Sequence, residues 1–160
     1  MTVRTFDRWL NRTLHVAGGI AFLFLASLLS FTAGDWRWPY VVQSIDVVTD
    51  RVPRGGTLTV IAVRTYLDDC DLFFARQIES VANPGEPPII LPEERTSTPW
   101  RFNGRGQAIH IAIPFDMACG SAQIRTKPSA ACNWVQRHIW RQHARDALTP
   151  FEVPCEPAPN

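Results

Sequence analysis

From Leu14 to Gly34 the chain runs 21 residues without Asp, Glu, Lys or Arg, close to the roughly 20 that a helix needs to cross a 30 Å hydrocarbon core. This run constrains the chain more than any other feature. It separates a short basic head from about 125 residues that have room for one domain with its own core, and not for two. His15 stands at the edge of the run, and Gly18 and Gly19 weaken it only slightly. Its most apolar part, Ile20 to Phe31, also has the length of a signal-peptide h-region, so a cleaved signal is the competing reading and a buried core helix a third. Against cleavage, the preceding stretch is long for an n-region and Phe31 stands where a small residue is wanted if Ala33 is the last residue removed. A cut after Gly34 puts Thr32 there instead. The expectation is an uncleaved signal anchor over 14–34.

Arg4, Arg8 and Arg12 precede the run and only Asp7 opposes them. The positive-inside rule therefore places residues 1–13 in the cytoplasm as a short tail and everything after the span outside, periplasmic or extracellular. At i, i+4 and i+8 the three arginines also share one face of a short helix, suited to anionic headgroups. Trp36, Trp38 and Tyr40 follow in a linker, 35–40, and with Trp9 on the other side they have the character of an interfacial aromatic belt. The alternative is that these rings cap the core of the domain that follows.

Beyond Pro39 the continuous apolar run gives way to short alternating ones. "VVQSIDVVTD" (41–50) predicts a first strand, "VPRGG" (52–56) a turn, and the β-branched "TLTVIAVRTY" (57–66) a second strand. "DLFFARQIES" (71–80) is a third, its period also compatible with a short helix. A Pro-rich connection (82–99) with room for a minor edge strand precedes "WRF" (100–102), where alternation resumes. In "AIHIAIPF" (108–115) Ile109, Ile111, Ile113 and Phe115 fall on one face by the two-residue period. "SAQIRTK" (121–127) and "PFEVP" (150–154) complete about seven strands. The expected architecture is all-β, an antiparallel two-sheet sandwich over 41–155 with a tail at 156–160.

With its paired strands around a Pro/Gly turn, "IDVVTDRVPRGGTLTVIAVRTY", and its ending "TPFEVP", the region 40–154 resembles the immunoglobulin-like superfamily in its broad sense. The whole arrangement is similar to small membrane-anchored phage and bacterial proteins that carry such domains. The Cys…Trp…Cys signature of antibody domains is missing, since Trp100 comes late between Cys70 and Cys119. The resemblance implies a fold and carries no activity.

All four cysteines, Cys70, Cys119, Cys132 and Cys155, follow the span, as an oxidising compartment would favour, and four allow three pairings. If strands alternate in direction through such a sandwich, Cys70 and Cys132 meet at one end and Cys119 and Cys155 at the other. The competing use is a metal, but the spacings are too wide for a CxxC-type zinc site, and His138 and His143 stand five apart. Asp68, Asp69 and Asp71 around Cys70 lack the Gly and distal Glu of a calcium loop. Neither a metal nor a cofactor is expected.

One stretch, "AACNWVQRHIWRQHARDAL" (130–148), departs from the strand pattern. Arg137, Arg141 and Arg145 recur every four residues, so a helix would carry them as one stripe beside Trp134 and Trp140. The sharp reading is a surface for lipid headgroups or a neighbouring membrane protein, and the plain one is tryptophans over a sheet edge with arginines in water. A formal net charge of +1 argues against a nucleic-acid partner, and Lys127 is the one lysine among the basic residues. No GxSxG elbow, HExxH or Gly-rich phosphate loop is present, and His110 falls on the face of its strand opposite the isoleucines. No catalysis is expected. The function expected is a membrane-anchored, disulfide-stabilised interaction or structural module with lipid and an unidentified protein as partners. A periplasmic metal-binding or enzyme-accessory domain is the first alternative. A virion or envelope component assembling through Ala17, Gly18 and Gly19 is the second.

Overall fold

The structure, a computed structural model, describes residues 3–34, 37–97 and 99–155, and within the first helix the side chains of residue 9 and of 11–30. It divides into two compact units, Met1–Trp36 and Arg37–Asn160. The first is one helix, α1 (Val3–Gly34), so the basic head is helical as well as the apolar run. Its segment Asn11–Ser30, with a mean hydropathy of 1.8, is long and apolar enough to cross a membrane. Most of the large apolar side chains there, among them Ile20, Phe22, Leu23 and Phe24, are exposed within the chain itself, and Leu28 is partly exposed.

The second unit is the expected antiparallel sandwich. One sheet holds β1 (Tyr40–Val47), β2 (Thr57–Tyr66) and β6 (Gly106–Ala112) in the order β1-β2-β6. The other is built on β3 (Asp71–Ser80) and β7 (Gly120–Ala131). The short β4 (Ile89–Ile90) and β5 (Glu94–Thr96) pair with the outer edge of β3, and β8 (Gln142–His143) and β9 (Ala147–Val153) with that of β7. The inner faces follow from alternation. In β2 every second residue from Leu58 to Tyr66 is buried. In β1 a bulge between Val42 and Ser44 shifts the register, so that Ile45 and Val47 stand opposite the inward Ala62 and Val60. Pro128, inside a twelve-residue strand, sits where the outer partner of β7 changes from β9 to β8, the place where an absent N–H disturbs the ladder least.

Register makes the two ends of the sandwich distinct. At the proximal end β1 begins, β2 ends, β3 begins and β7 ends, with Tyr40 opposite Tyr66 and Asp71 opposite Ala131. The next positions outward on β3 and β7 are Cys70 and Cys132, and they form a disulfide with Cα atoms 4.2 Å apart. At the distal end Gly120 pairs with Val153, and just beyond them Cys119 bonds Cys155 with Cα atoms 4.9 Å apart. Both pairings are those expected from strand alternation. The two bridges lie within one sheet and pin β7 at both of its ends.

Each end has its own cluster. The distal one is aliphatic and includes Leu58, Val60, Ile78, Ile111, Ile124 and Val153, with Phe151. Its fully buried members contribute about 1.5–3 kcal/mol each by leaving water. The proximal one is aromatic, with Tyr40, Tyr66 and Phe74 around Leu72, Ala130 and Cys70.

Three local expectations change. "WRF" belongs to a 3-10 turn, Pro99–Phe102, in which Asn103 follows and its Oδ1 accepts the Tyr66 N–H at 2.9 Å. Phe115 does not continue the isoleucine face, because β6 ends at Ala112 and the ring is 81% exposed. It lies over Gly55, whose φ of +73° fits the turn and where a Cβ would collide with that ring. Tyr40, expected in a belt at the membrane, is 6% exposed and packed edge-on to Trp38 at 5.3 Å. The pairing with Tyr66 draws it into the core, and burial raises its phenol pKa while Arg64 opposes the shift.

Candidate functional site at the proximal end

The non-strand stretch after β7 does form a helix, but a short one, α2 (Trp134–His138). Asn133 caps its start by accepting the Gln136 N–H at 2.9 Å, while the Gln136 side chain reaches back to the Cys132 N–H at 2.7 Å. Ile139 ends it, and the backbone then turns to pair Gln142 and His143 with Ala130 and Ser129. Edge pairing on β7 replaces further helical turns, and the stripe of Arg137, Arg141 and Arg145 is broken as a result.

Two of those arginines are engaged within the domain. Arg137 Nε lies 3.2 Å from Asp71 Oδ2, which also receives Arg95 at 3.2 Å. Arg141 Nη1 donates to both oxygens of Glu93, at 2.9 and 3.1 Å, and its guanidinium stands 3.5 Å from the centre of the Phe73 ring. Such a stacked cation contributes about 0.5–2 kcal/mol according to its exposure. Arg137 and Arg141 are therefore struts for the outer face of the β3–β7 sheet, and only Arg145, which is exposed, keeps the expected freedom toward solvent.

The tryptophans behave differently. Trp134 is 64% exposed and stacks on His138 at 4.8 Å, and Trp140 is 55% exposed. Trp100, in the neighbouring 3-10 turn, is 44% exposed. Trp38 packs on the proximal cluster, and Trp36 lies outside the described residues. All four tryptophans described in the domain thus belong to the end at which the chain arrives from α1. Exposed Leu67 and Ile139 join them there.

The other candidate sites resolve simply. Asp68 and Asp69 are exposed, and Asp71 is held by two guanidiniums. The four cysteines are all in disulfides, so none offers a thiolate. Among the described residues no group of three or more His, Cys, Asp or Glu stands together as a metal site. His110 is exposed, with Nδ1 3.1 Å from Thr59 Oγ1 across the outer face of β2 and β6.

Sequence reasoning missed Arg64 and Arg76, both nine-tenths buried. The signal was present, since each occupies the inward parity of its strand, between Ala62 and Tyr66 and between Phe74 and Ile78.

No protein-family model matches the sequence, and no curated protein matches it. Among solved structures the chain is similar to the C-terminal domain of wzt, with a TM-score of 0.46 and 9% identity over 75% of this chain and 76% of that one. It is also similar to Spo0M, sporulation control protein, from Bacillus subtilis, with a TM-score of 0.34 and 10% identity over 73% of this chain and 49% of that one. The chain thus spans about half the length of Spo0M. The fold stands on the strand register alone.

Proposed function

We propose that the chain is a single-pass anchored interaction module, with the head of α1 in the cytoplasm and the sandwich outside, its proximal end resting on the outer leaflet. The observation that carries this reading is the segregation of Trp38, Trp100, Trp134 and Trp140 to the end of the sandwich joined to α1. Tryptophan prefers the headgroup region, where its ring is half in hydrocarbon and its N–H is solvated. Arg145 adds a cation for phosphate. Two disulfides and a domain without free cysteine support an oxidising compartment, and Arg4, Arg8 and Arg12 support the orientation of α1. Kinship with immunoglobulin-like domains, phage-encoded ones included, belongs to the same reading. It is supported by the partition of the first, second and sixth strands against the third, seventh and ninth.

Both clusters draw only on residues of the second unit, so that unit is suited to study alone. Flotation of residues 37–160 with vesicles containing anionic lipid tests the surface role. The wild-type domain rises with the vesicles, and a Trp134→Ala/Trp140→Ala variant stays at the bottom. Equal flotation of the two removes the tryptophan end as the contact.

A further inference from the structure

Two arginines stand where alternation puts core residues. Along β2 the inward series runs Val60, Ala62, Arg64, Tyr66, and along β3 it runs Phe74, Arg76, Ile78. At 8% and 9% exposure, Arg64 and Arg76 separate the aliphatic cluster from the aromatic one. They line a cleft between the two sheets with about 70 Å³ of free space. Val60, Ile111 and Ile124 wall it, and the partly or fully exposed Val42, Ile45 and Ala147, from the edge strands β1 and β9, form its mouth.

The two guanidiniums are not equivalent. Arg76 Nη1 donates to Glu94 Oε2 at 2.6 Å, so its charge is balanced. Arg64 has no carboxylate within 4.0 Å among the described residues. One nitrogen, Nη1, donates to Gln107 Oε1 at 3.1 Å, and Nε is buried without an acceptor. The rings of Phe74 and Tyr40, with centres 4.9 and 5.5 Å away, attract the cation but accept none of its in-plane N–H groups. A charge buried in this state is unfavourable unless an anion or water answers it.

We propose that this cleft binds a small carboxylate on a short apolar stem, the carboxylate taken by Arg64 and the stem by the aliphatic walls. A planar guanidinium matches a carboxylate edge to edge. Phosphate would leave its remaining oxygens against Val60, Ile111 and Ile124, and the free space admits only a few heavy atoms beyond the carboxylate.

Calorimetric titration of the full-length protein in detergent micelles with butanoate, butanamide and inorganic phosphate tests the site. Saturable binding of butanoate is expected, with affinity lower by about tenfold or more for butanamide and for butanoate on Arg64→Gln, because a charge-assisted pair is lost. Ala147→Leu narrows the mouth and leaves Arg64 in place, so it too weakens butanoate. Absence of saturable butanoate binding in the wild type overturns the proposal, as does unchanged affinity in a cooperatively folded Arg64→Gln. If Arg64→Gln does not fold, unchanged affinity in Ala147→Leu overturns it. Phosphate binding in place of butanoate overturns the carboxylate assignment.

Discussion

The two ends of the sandwich are built from different residues. The distal end closes over Leu58, Ile78, Ile111 and Ile124, each 6% exposed or less, and its tip carries no tryptophan among the described residues. The proximal end keeps Tyr40, Tyr66 and Phe74 inside and turns Trp100, Trp134 and Trp140 outward. Aromatic area is placed inside at the proximal core and outside at the proximal tip, and the proposed membrane contact is one account of the second placement. Tryptophans left outside by a domain that buries Tyr40, Tyr66, Phe73, Phe74 and Phe151 are poorly explained by folding.

The largest effect that sharpens this contrast comes from the distal cluster. Ile124→Ala is expected to cost about 2–5 kcal/mol in denaturant unfolding, by lost transfer energy and the cavity left behind. A cost below about 1 kcal/mol would mean that the distal end is not the stabilising one. Next come the bridges. Replacing either pair by serine is expected to cost about 2–4 kcal/mol. Loss of Cys70–Cys132 costs about 0.5 kcal/mol more than loss of Cys119–Cys155, because it closes 62 residues of sequence against 36.

A third test concerns the outer face of the β3–β7 sheet. Glu79 accepts from Arg125 Nε at 2.6 Å and Nη2 at 3.1 Å, and from Gln123 at 2.7 Å, with Gln77 as a further donor. Arg125 first, then the two glutamines, lower its carboxyl from the ordinary 4.5 to about 2. A carboxyl lowered on folding stabilises the ionised fold. Its contribution is present in full above about pH 4.5 and is lost as pH falls through about 2. The stability gap between wild type and Glu79→Gln, followed by chemical denaturation, should therefore narrow across that interval. A gap independent of pH would detach the network from stability. The smallest effect is at the proximal tip, where Trp134→Ala and Trp140→Ala should each change stability by no more than about 0.5 kcal/mol, because both rings are mostly in solvent. A larger loss would make those rings part of the core and end the contrast.

Much of the fold was legible because alternation and turn residues act locally. "TLTVIAVRTY" declares its inward face by itself, and once β3, β7 and β9 are antiparallel neighbours the cysteines beside their ends have only the observed partners. What was not legible depends on distant partners. Whether Tyr40 faces lipid or core depends on Tyr66, and whether Arg141 is free depends on Glu93 and Phe73. The length of α2 depends on an edge of β7 left open for β8. Arg64 is a different case, since its inward parity was written in the strand, but a charge there reads as an exception until the opposite sheet is in place.

The measurement that bears most directly on the role of the proximal end is hydroxyl-radical footprinting of the full-length protein in lipid vesicles beside the isolated 37–160 domain in solution. Oxidation of Trp134 and Trp140 should fall several-fold in the vesicles, while that of Phe115, 81% exposed at the distal end, stays the same. Equal oxidation of the two tryptophans in both preparations would contradict the account.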